Sequence, residues 1–332
     1  MARRFDQSPP RVFVTRRLPE ATERRMGELF DVTLTGAEER LERSALIAAV
    51  ADCDVLVPTV TDNIDAGVIE AAGERMKLIA NYGAGVNHID LKAARARNIV
   101  VTNTPGVLTE DTADMTMALI VAVPRRLAEG EKLVRSGGWK GWSPGAMLGH
   151  RIGGKALGIV GMGRIGRAVA ARARAFGLSI HYHNRNRLPA VLEAQLGAQW
   201  HESLDAMLAA IDILTIHTPL NADSENLIDR RRIGLLRPHV HVINASRGGI
   251  VDEDALVEAL EDGRLAGAGL DVWKYEPEIN PRLLALPNVV LTPHMGSATH
   301  EGREATGDKV IANIRVWADG HRPPDQVLEG WL

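Results

Sequence analysis

The 332-residue sequence predicts an α/β protein of two parallel-sheet domains, and three observations carry that expectation. Its length exceeds one typical domain and suits two. Short apolar stretches alternate with helical patterns in two successive blocks, the pattern of parallel sheets covered by helices. At the start of the second block a buried strand runs from Lys155 into Gly161, Met162, Gly163, Arg164, Ile165 and Gly166, and then into a helix. Strand, glycine turn and helix in that order are the setting in which G-x-G-x-x-G marks a dinucleotide cradle.

Taken in order, positions 1–10 read as a loose leader ended by Pro9 and Pro10. Strands are predicted over 11–15, 32–34, 54–57, 78–81 and 100–102, with helices over 20–30, 44–51, 65–72 and 91–97 between them. This block has no phosphate fingerprint, so it is the candidate substrate domain. The stretch 109–127 predicts a long helix, opened by Thr109 to Thr112 and interrupted by Pro124. It is apolar nearly all round, which predicts burial between domains or subunits. Positions 136–148 carry Trp139 and Trp142 among glycines and read as an exposed arm. The second block predicts strands over 156–160, 179–183, 199–200, 213–217, 240–245, 267–272 and 289–291. Its helices are predicted over 164–176, 189–196, 204–210, 230–235 and 253–261. A last helix over 299–319 follows a complete nucleotide domain and is expected to return to the first, with an extended tail from Arg322. The expected division is therefore a discontinuous domain of 1–108 with 297–332, and a dinucleotide-binding domain of 109–296.

Composition narrows the function classes. A net charge of −3 gives no electrostatic case for nucleic acid or an acidic membrane surface. The single cysteine, Cys53, has no partner for a disulfide and no ligand cluster beside it, so no metal is expected. No apolar run reaches a membrane span and the first residues lack an apolar signal core, which predicts a soluble, cytoplasmic protein.

Ligands of open α/β sheets gather where the strands end, and four groups of residues fall there. In the glycine turn, Gly161 permits the tight bend, Gly163 admits a pyrophosphate and Gly166 lets the helix sit close. At the next strand end come Asn184, Arg185, Asn186 and Arg187, with no acidic residue where one would hold the adenosine ribose. An arginine fork there suits a 2′-phosphate, so NADPH is expected to be preferred over NADH. The third group is Asn244, Ala245, Ser246, Arg247 and Gly248, where a planar cation can grip a carboxylate. The fourth joins Asp271 and Glu276 with His294 and Gly296. A carboxylate bonded to an imidazole favours the charged ring, which then serves as proton donor near neutral pH. His217, ahead of Thr218 and Pro219 at another strand end, is a further candidate for touching the cofactor.

With these motifs in place, the chain resembles the NAD(P)-dependent D-isomer-specific 2-hydroxyacid dehydrogenases over about residues 50–325. The resemblance rests on the glycine turn, on 244–252, on 269–277 and on 293–299, in the family's order. Arg247, Glu276 and His294 have the spacing of the family's catalytic trio. His183 to Arg187, together with the glycine and tryptophan arm, is most like the glyoxylate/hydroxypyruvate reductases.

The resemblance implies two Rossmann-like domains: a doubly wound nucleotide-binding domain and a discontinuous, flavodoxin-like substrate domain. It implies reduction of a small 2-keto acid, such as glyoxylate or hydroxypyruvate, to glycolate or D-glycerate. Arg247 would bind the substrate, His294 would protonate the carbonyl oxygen and Glu276 would orient His294. Backbone N–H groups of Ala84 and Gly85 would hold the carboxylate, with Val60 closing the pocket. Met162 to Ile165, Asn184 to Asn186, Ala245 to Arg247 and His294 to Gly296 would contact the cofactor, as would Asp271 and Thr112. Domain closure would exclude water, and a homodimer is expected. Glu276 argues against the formate dehydrogenases, which carry glutamine there. Phosphite oxidation, other D-2-hydroxyacid dehydrogenases and a non-catalytic NAD(H)-sensing corepressor on the same scaffold stay open at this point.

Overall fold

The computed structural model describes residues 8–328, so the first seven positions of the expected leader lie outside the described residues. The chain forms two compact units, one reaching to Leu108 and resuming at Ala298, the other Thr109–Ser297.

The first unit holds β1 (Arg11–Val14), β2 (Asp31–Leu34), β3 (Val55–Val57), β4 (Leu78–Ala80) and β5 (Val100–Thr102). All pair in parallel, in the order β2-β1-β3-β4-β5, which is the flavodoxin-like winding. The central β3 and β4 are buried along their whole length, because helices cover both faces and unbroken apolar runs are needed there. Edge strand β2 instead exposes Asp31 and Thr33. Helix starts follow from local capping: Asp65 accepts from the Val68 N–H and Asp90 from those of Lys92 and Ala93.

The final helix, His300–Ala318, returns to this unit. Its Val310, Ile311, Ile314 and Trp317 share a core with Val12, Val14, Met26, Val55 and Leu78. Gly307 permits that approach, since a Cβ there would lie 2.2 Å from Thr22 Oγ1. The extended tail is not loose. Gln326 bridges Thr102 in antiparallel fashion, and the Val327 N–H donates to the Val101 carbonyl at 2.9 Å.

The second unit contains β6 (Ala156–Val160), β7 (Ser179–His183), β8 (Ala198–Trp200), β9 (Ile213–Ile216), β10 (His241–Asn244), β11 (Gly267–Leu270) and β12 (Val289–Leu291). Their order is β12-β11-β10-β9-β6-β7-β8, a doubly wound sheet with one extra strand, and its direction reverses between β6 and β9.

The apolar helix, Thr109–Ala122, packs inside the second unit, against helix Arg164–Ala175 and strands β10 and β11. Gly269 shows how closely: a Cβ there would stand 3.0 Å from Val123 and 3.2 Å from Leu119. Ala118 faces outward and so does Asp114, which pairs with Arg172. The helix stops at Ala122, ahead of Pro124, and a separate helix, Leu127–Arg135, follows with none of its residues buried. From there to Leu148 the chain is the expected exposed arm, with Leu127, Val134, Trp139, Trp142 and Leu148 all facing outward.

No helix among the described residues is long and apolar enough to cross a membrane. His241, at the start of β10, is buried with its ring at the edge of His150. Burial, followed by the positive neighbours His150, Lys155 and His239, pushes its pKa down to about 4. The unfolded chain therefore takes up this proton first, so the contribution is intact above about pH 6.5 and is lost as pH falls toward 4. His241→Gln is expected to remove about 2 kcal/mol of the stability difference between pH 7.5 and pH 5. Urea unfolding of both proteins at the two pH values measures it.

Candidate active site

The glycine turn sits where the second sheet reverses direction. Gly161 has φ of +96°, and a Cβ there would come within 2.6 Å of the His217 backbone on the neighbouring strand end. A Cβ on Gly166 would lie 2.2 Å from the Gly161 carbonyl oxygen, so the helix could not stay so close to the strand. Gly163, by contrast, has open space where a side chain would go. It caps helix Arg164–Ala175, and no hydrogen bond among the described residues uses the N–H of Gly163, Arg164 or Ile165. An open face, free amide donors and the positive helix end together fit a pyrophosphate. Met162 is buried under the turn, and its N–H donates to Asn184 Oδ1 at 2.7 Å.

His217 lies across the turn. Its Nε2 is 3.0 Å from Thr215 Oγ1, while its Nδ1 is shut from solvent without a partner. Burial lowers its pKa to about 3, so it is neutral in the working range and carries no proton for transfer. Thr218 is half-buried beside it and Pro219 is exposed.

The two arginines after Asn184 separate clearly. Arg187 lays its guanidinium fork on Glu193, at 2.9 and 2.8 Å, and stacks over Trp200. Glu193 also accepts from the Tyr182 hydroxyl at 2.6 Å, so Nε and one terminal nitrogen of Arg187 are engaged in this network while its side chain stays exposed. Arg185 is exposed and, among the described residues, makes a long 3.5 Å approach to the equally exposed Asp223. Asn186 is exposed next to it. Of the expected arginine pair, Arg185 is the less engaged.

Arg247, Glu276 and His294 come together in the second unit through three separate devices. First, Asn244 ties its own loop: its Nδ2 donates to the Arg247 carbonyl, and its Oδ1 accepts from the Ser246 N–H and hydroxyl. Ala245 is buried within that loop. Second, Gly248 lies so close to the next segment that a Cβ would stand 2.0 Å from the Trp273 carbonyl carbon. Third, Asp271, buried at the end of β11, holds the turn of His294. It accepts from Thr292 Oγ1 at 2.6 Å, from the Met295 N–H at 2.8 Å and from the Gly296 N–H at 2.7 Å. His294 adopts φ of +50°, an uncommon setting for a residue with a side chain. The result is His294 Nδ1 at 2.7 Å from Glu276 Oε2, while Glu276 Oε1 accepts from the Trp273 N–H at 3.2 Å.

With its carboxylate on Nδ1, the ring offers Nε2 to a reacting oxygen. Burial lowers the Arg247 pKa, opposed by the charge of Glu276. Thr112 is buried near this turn, since a Cβ on Gly296 would meet Thr112 at 3.7 Å and Asp271 at 2.9 Å.

In the first unit, Ala84 and Gly85 lie on the loop after β4. The carbonyls of Gly83, Ala84 and Gly85 are all occupied, by the Thr104 N–H, Asn103 Nδ2 and Asn81 Nδ2. Among the described residues no hydrogen bond engages the N–H of Ala84 or Gly85. Val60 packs on this loop, with a Cβ on Gly83 falling 2.5 Å from Val60 Cγ1. Sequence reasoning missed the residues that build these loops: Asn81, His88 and Asn103 in the first unit, and Asn244 as a tie rather than a motif letter in the second. Asparagine at a strand end was the available signal, because its side chain mimics backbone and holds turns.

Comparison with known proteins agrees with this geometry. Residues 117–296 match the family model described as D-isomer specific 2-hydroxyacid dehydrogenase, NAD binding domain. The chain is 43% identical over 322 residues to a glyoxylate reductase of Thermococcus litoralis, covering 96% of each chain. It is 44% identical over 321 residues to one of Korarchaeum cryptofilum, again covering 96% of each. Among solved structures it superposes with a TM-score of 0.87 on an NADPH-dependent glyoxylate/hydroxypyruvate reductase of Sinorhizobium meliloti, crystallised with NADP and malonate. That match has 35% identity and covers 97% of this chain and 98% of the other.

Gly248→Ala is expected to lower unfolding free energy by about 3 kcal/mol, because the added methyl meets backbone that no rotamer change can move. Urea denaturation measures it, and a loss within experimental error of zero would show that the two segments are not in contact.

Proposed function

Because the chain belongs to the D-isomer specific 2-hydroxyacid dehydrogenases, NAD(P)-dependent oxidoreductases that reduce 2-keto acids to 2-hydroxy acids, we propose that it is a glyoxylate/hydroxypyruvate reductase that prefers NADPH. The observation that carries the reading is the Glu276–His294 pair at 2.7 Å with the half-buried cation Arg247 on the loop beside it. When bound, the nicotinamide supplies a hydride. Reduction then leaves negative charge on an oxygen next to a carboxylate. Arg247 and a charged His294 place positive charge where it develops, which is transition-state stabilisation. His294 Nε2 gives its proton to that oxygen, and Glu276 keeps the ring oriented. In the first unit the Ala84 and Gly85 N–H groups are the donors for the substrate carboxylate, with Val60 beside them limiting the side chain. The products are glycolate from glyoxylate and D-glycerate from hydroxypyruvate.

The residues of the second unit fit the nicotinamide dinucleotide. The amides of Gly163, Arg164 and Ile165 would carry the pyrophosphate, and Asn184, Arg185 and Asn186 the adenosine end. Thr112, Thr218, Pro219, Ala245, Ser246, Asp271 and Gly296 would line the remainder. The preference for NADPH is supported by the exposed fork of Arg185, held only by a long approach to Asp223, and by the lack of a carboxylate at Asn184. A cytoplasmic enzyme is supported by the same soluble-family membership.

The enzyme is read as a homodimer. Support comes from the exposed apolar residues Leu127, Val134, Trp139, Trp142 (83% exposed) and Leu148, all within one segment. So much unpaired apolar surface on one arm suits the self-complementary patch of a two-fold pair.

Steady-state assays with glyoxylate, hydroxypyruvate, pyruvate and phenylpyruvate, each with NADPH and NADH, test the assignment. The first two substrates with NADPH are expected to give the highest kcat/KM, and Arg185→Ala to cut the NADPH advantage by about tenfold. His294→Ala is expected to lower kcat by about 10²–10⁴ with cofactor affinity retained. Cofactor binding without turnover of any 2-keto acid would favour the sensor reading instead. Sedimentation equilibrium at micromolar concentration is expected to return the mass of a dimer; a monomer overturns the arm's assignment.

A further inference from the structure

Asn81 makes an unusually full set of contacts for a residue with no catalytic atom. It ends β4, is wholly buried, and its backbone N–H donates to the Thr102 carbonyl at 3.0 Å. Its side-chain Nδ2 donates to two carbonyls of the following loop, Gly83 and Gly85, both at 2.9 Å. Carbonyl oxygens only accept, so the amide orientation is settled by its partners and Oδ1 must face the other way. There it meets His88 Nε2 at 3.0 Å. An amide oxygen also only accepts, so Nε2 of His88 carries the hydrogen. His88 is itself anchored, because its carbonyl accepts from the Ile64 N–H at 2.9 Å and joins the loop to the segment after β3.

The consequence concerns the two amides left over. With the Gly83 and Gly85 carbonyls pulled inward onto one amide group, the Ala84 and Gly85 N–H groups have no partner among the described residues. The loop is thereby presented as a pair of donors with its acceptors hidden, the preorganised state an anion needs. We propose that Asn81 and His88 form a positioning relay that holds the Ala84–Gly85 amides ready for the carboxylate of the 2-keto acid. Neither residue touches substrate; each acts through the next, His88 orienting Asn81 and Asn81 orienting the loop. The proposal rests on the reading that these amides bind the substrate carboxylate.

A relay of this kind sets substrate affinity rather than the chemical step, which separates it from a purely structural role. Asn81→Leu keeps the heavy-atom count and branching, frees the Gly85 carbonyl and leaves the Gly83 carbonyl with the Thr104 N–H alone. It is expected to raise KM for glyoxylate by about tenfold or more, with kcat within about threefold. NADPH affinity, read by nicotinamide fluorescence, is expected to stay within about twofold, which also reports that the variant is folded. His88→Met removes the donor and is expected to raise KM by about three- to tenfold, whereas His88→Gln restores an N–H near the same place and most of the lost affinity.

The outcomes part cleanly. If Asn81→Leu and the more conservative Asn81→Ser both leave KM unchanged in folded protein, Asn81 does not position the loop and the relay is overturned. If Asn81→Leu raises KM but His88→Met matches the parent, the loop reading stands and the relay is overturned. If His88→Met and His88→Gln are equally impaired, the Nε2 hydrogen is irrelevant and the relay is overturned too.

Discussion

Everything at the candidate active site depends on one hydrogen bond, from His294 Nδ1 to Glu276 Oε2. The two residues lie on different loops, and neither would be held there by its own turn. Glu276 is anchored by the Trp273 N–H, and Trp273 is fixed in turn by the close backbone approach of Gly248. His294 is anchored by Asp271, whose two oxygens take three hydrogen bonds from residues 292–296. Arg247 precedes Gly248, so the same contact that positions Glu276 also brings the cation alongside. A proton donor, its orienting carboxylate and a cation are thus three outcomes of one packing arrangement at the ends of β10, β11 and β12.

Charge is sorted by prior engagement rather than by residue type. Arg187 and Arg185 are two positions apart, yet the Glu193–Tyr182 network engages the first and not the second. Asparagines divide in the same way. Asn184 and Asn244 use their side chains to tie neighbouring loops, and Asn81 uses all of its amide to shape one. The groups that remain open to a ligand, such as the amides of Gly163, Arg164, Ala84 and Gly85, are defined by what their neighbours have already used.

Much of the fold was legible because its signals are local. Strands in a parallel sheet are short apolar runs, the glycine turn has a spacing dictated by backbone geometry, and caps such as Asp65 and Asp90 announce helix starts. The trio was legible as motifs in order, from resemblance more than from physics. The neighbours of the apolar helix Thr109–Ala122 were not. Its even hydrophobicity is equally compatible with a subunit boundary and with a place against β11, and only the glycines of that strand, read with their neighbours, decide between them. The docking of the tail beside β5 was also invisible, since one backbone bridge needs no side-chain pattern.

The sequence by itself determined the class of protein: two wound α/β units, a dinucleotide turn, and a set of acid, base and cation that suits reduction of a keto acid. These follow from periodicity, glycine placement and residue chemistry, which act over a few neighbours. Tertiary structure decided which of those residues are free to act. Whether Arg185 or Arg187 meets an anion, whether Asp271 builds a turn, and whether Asn81 presents two amides all depend on contacts between residues far apart in the chain. Such contacts are set by strand order and register, and a local reading of the sequence does not contain them.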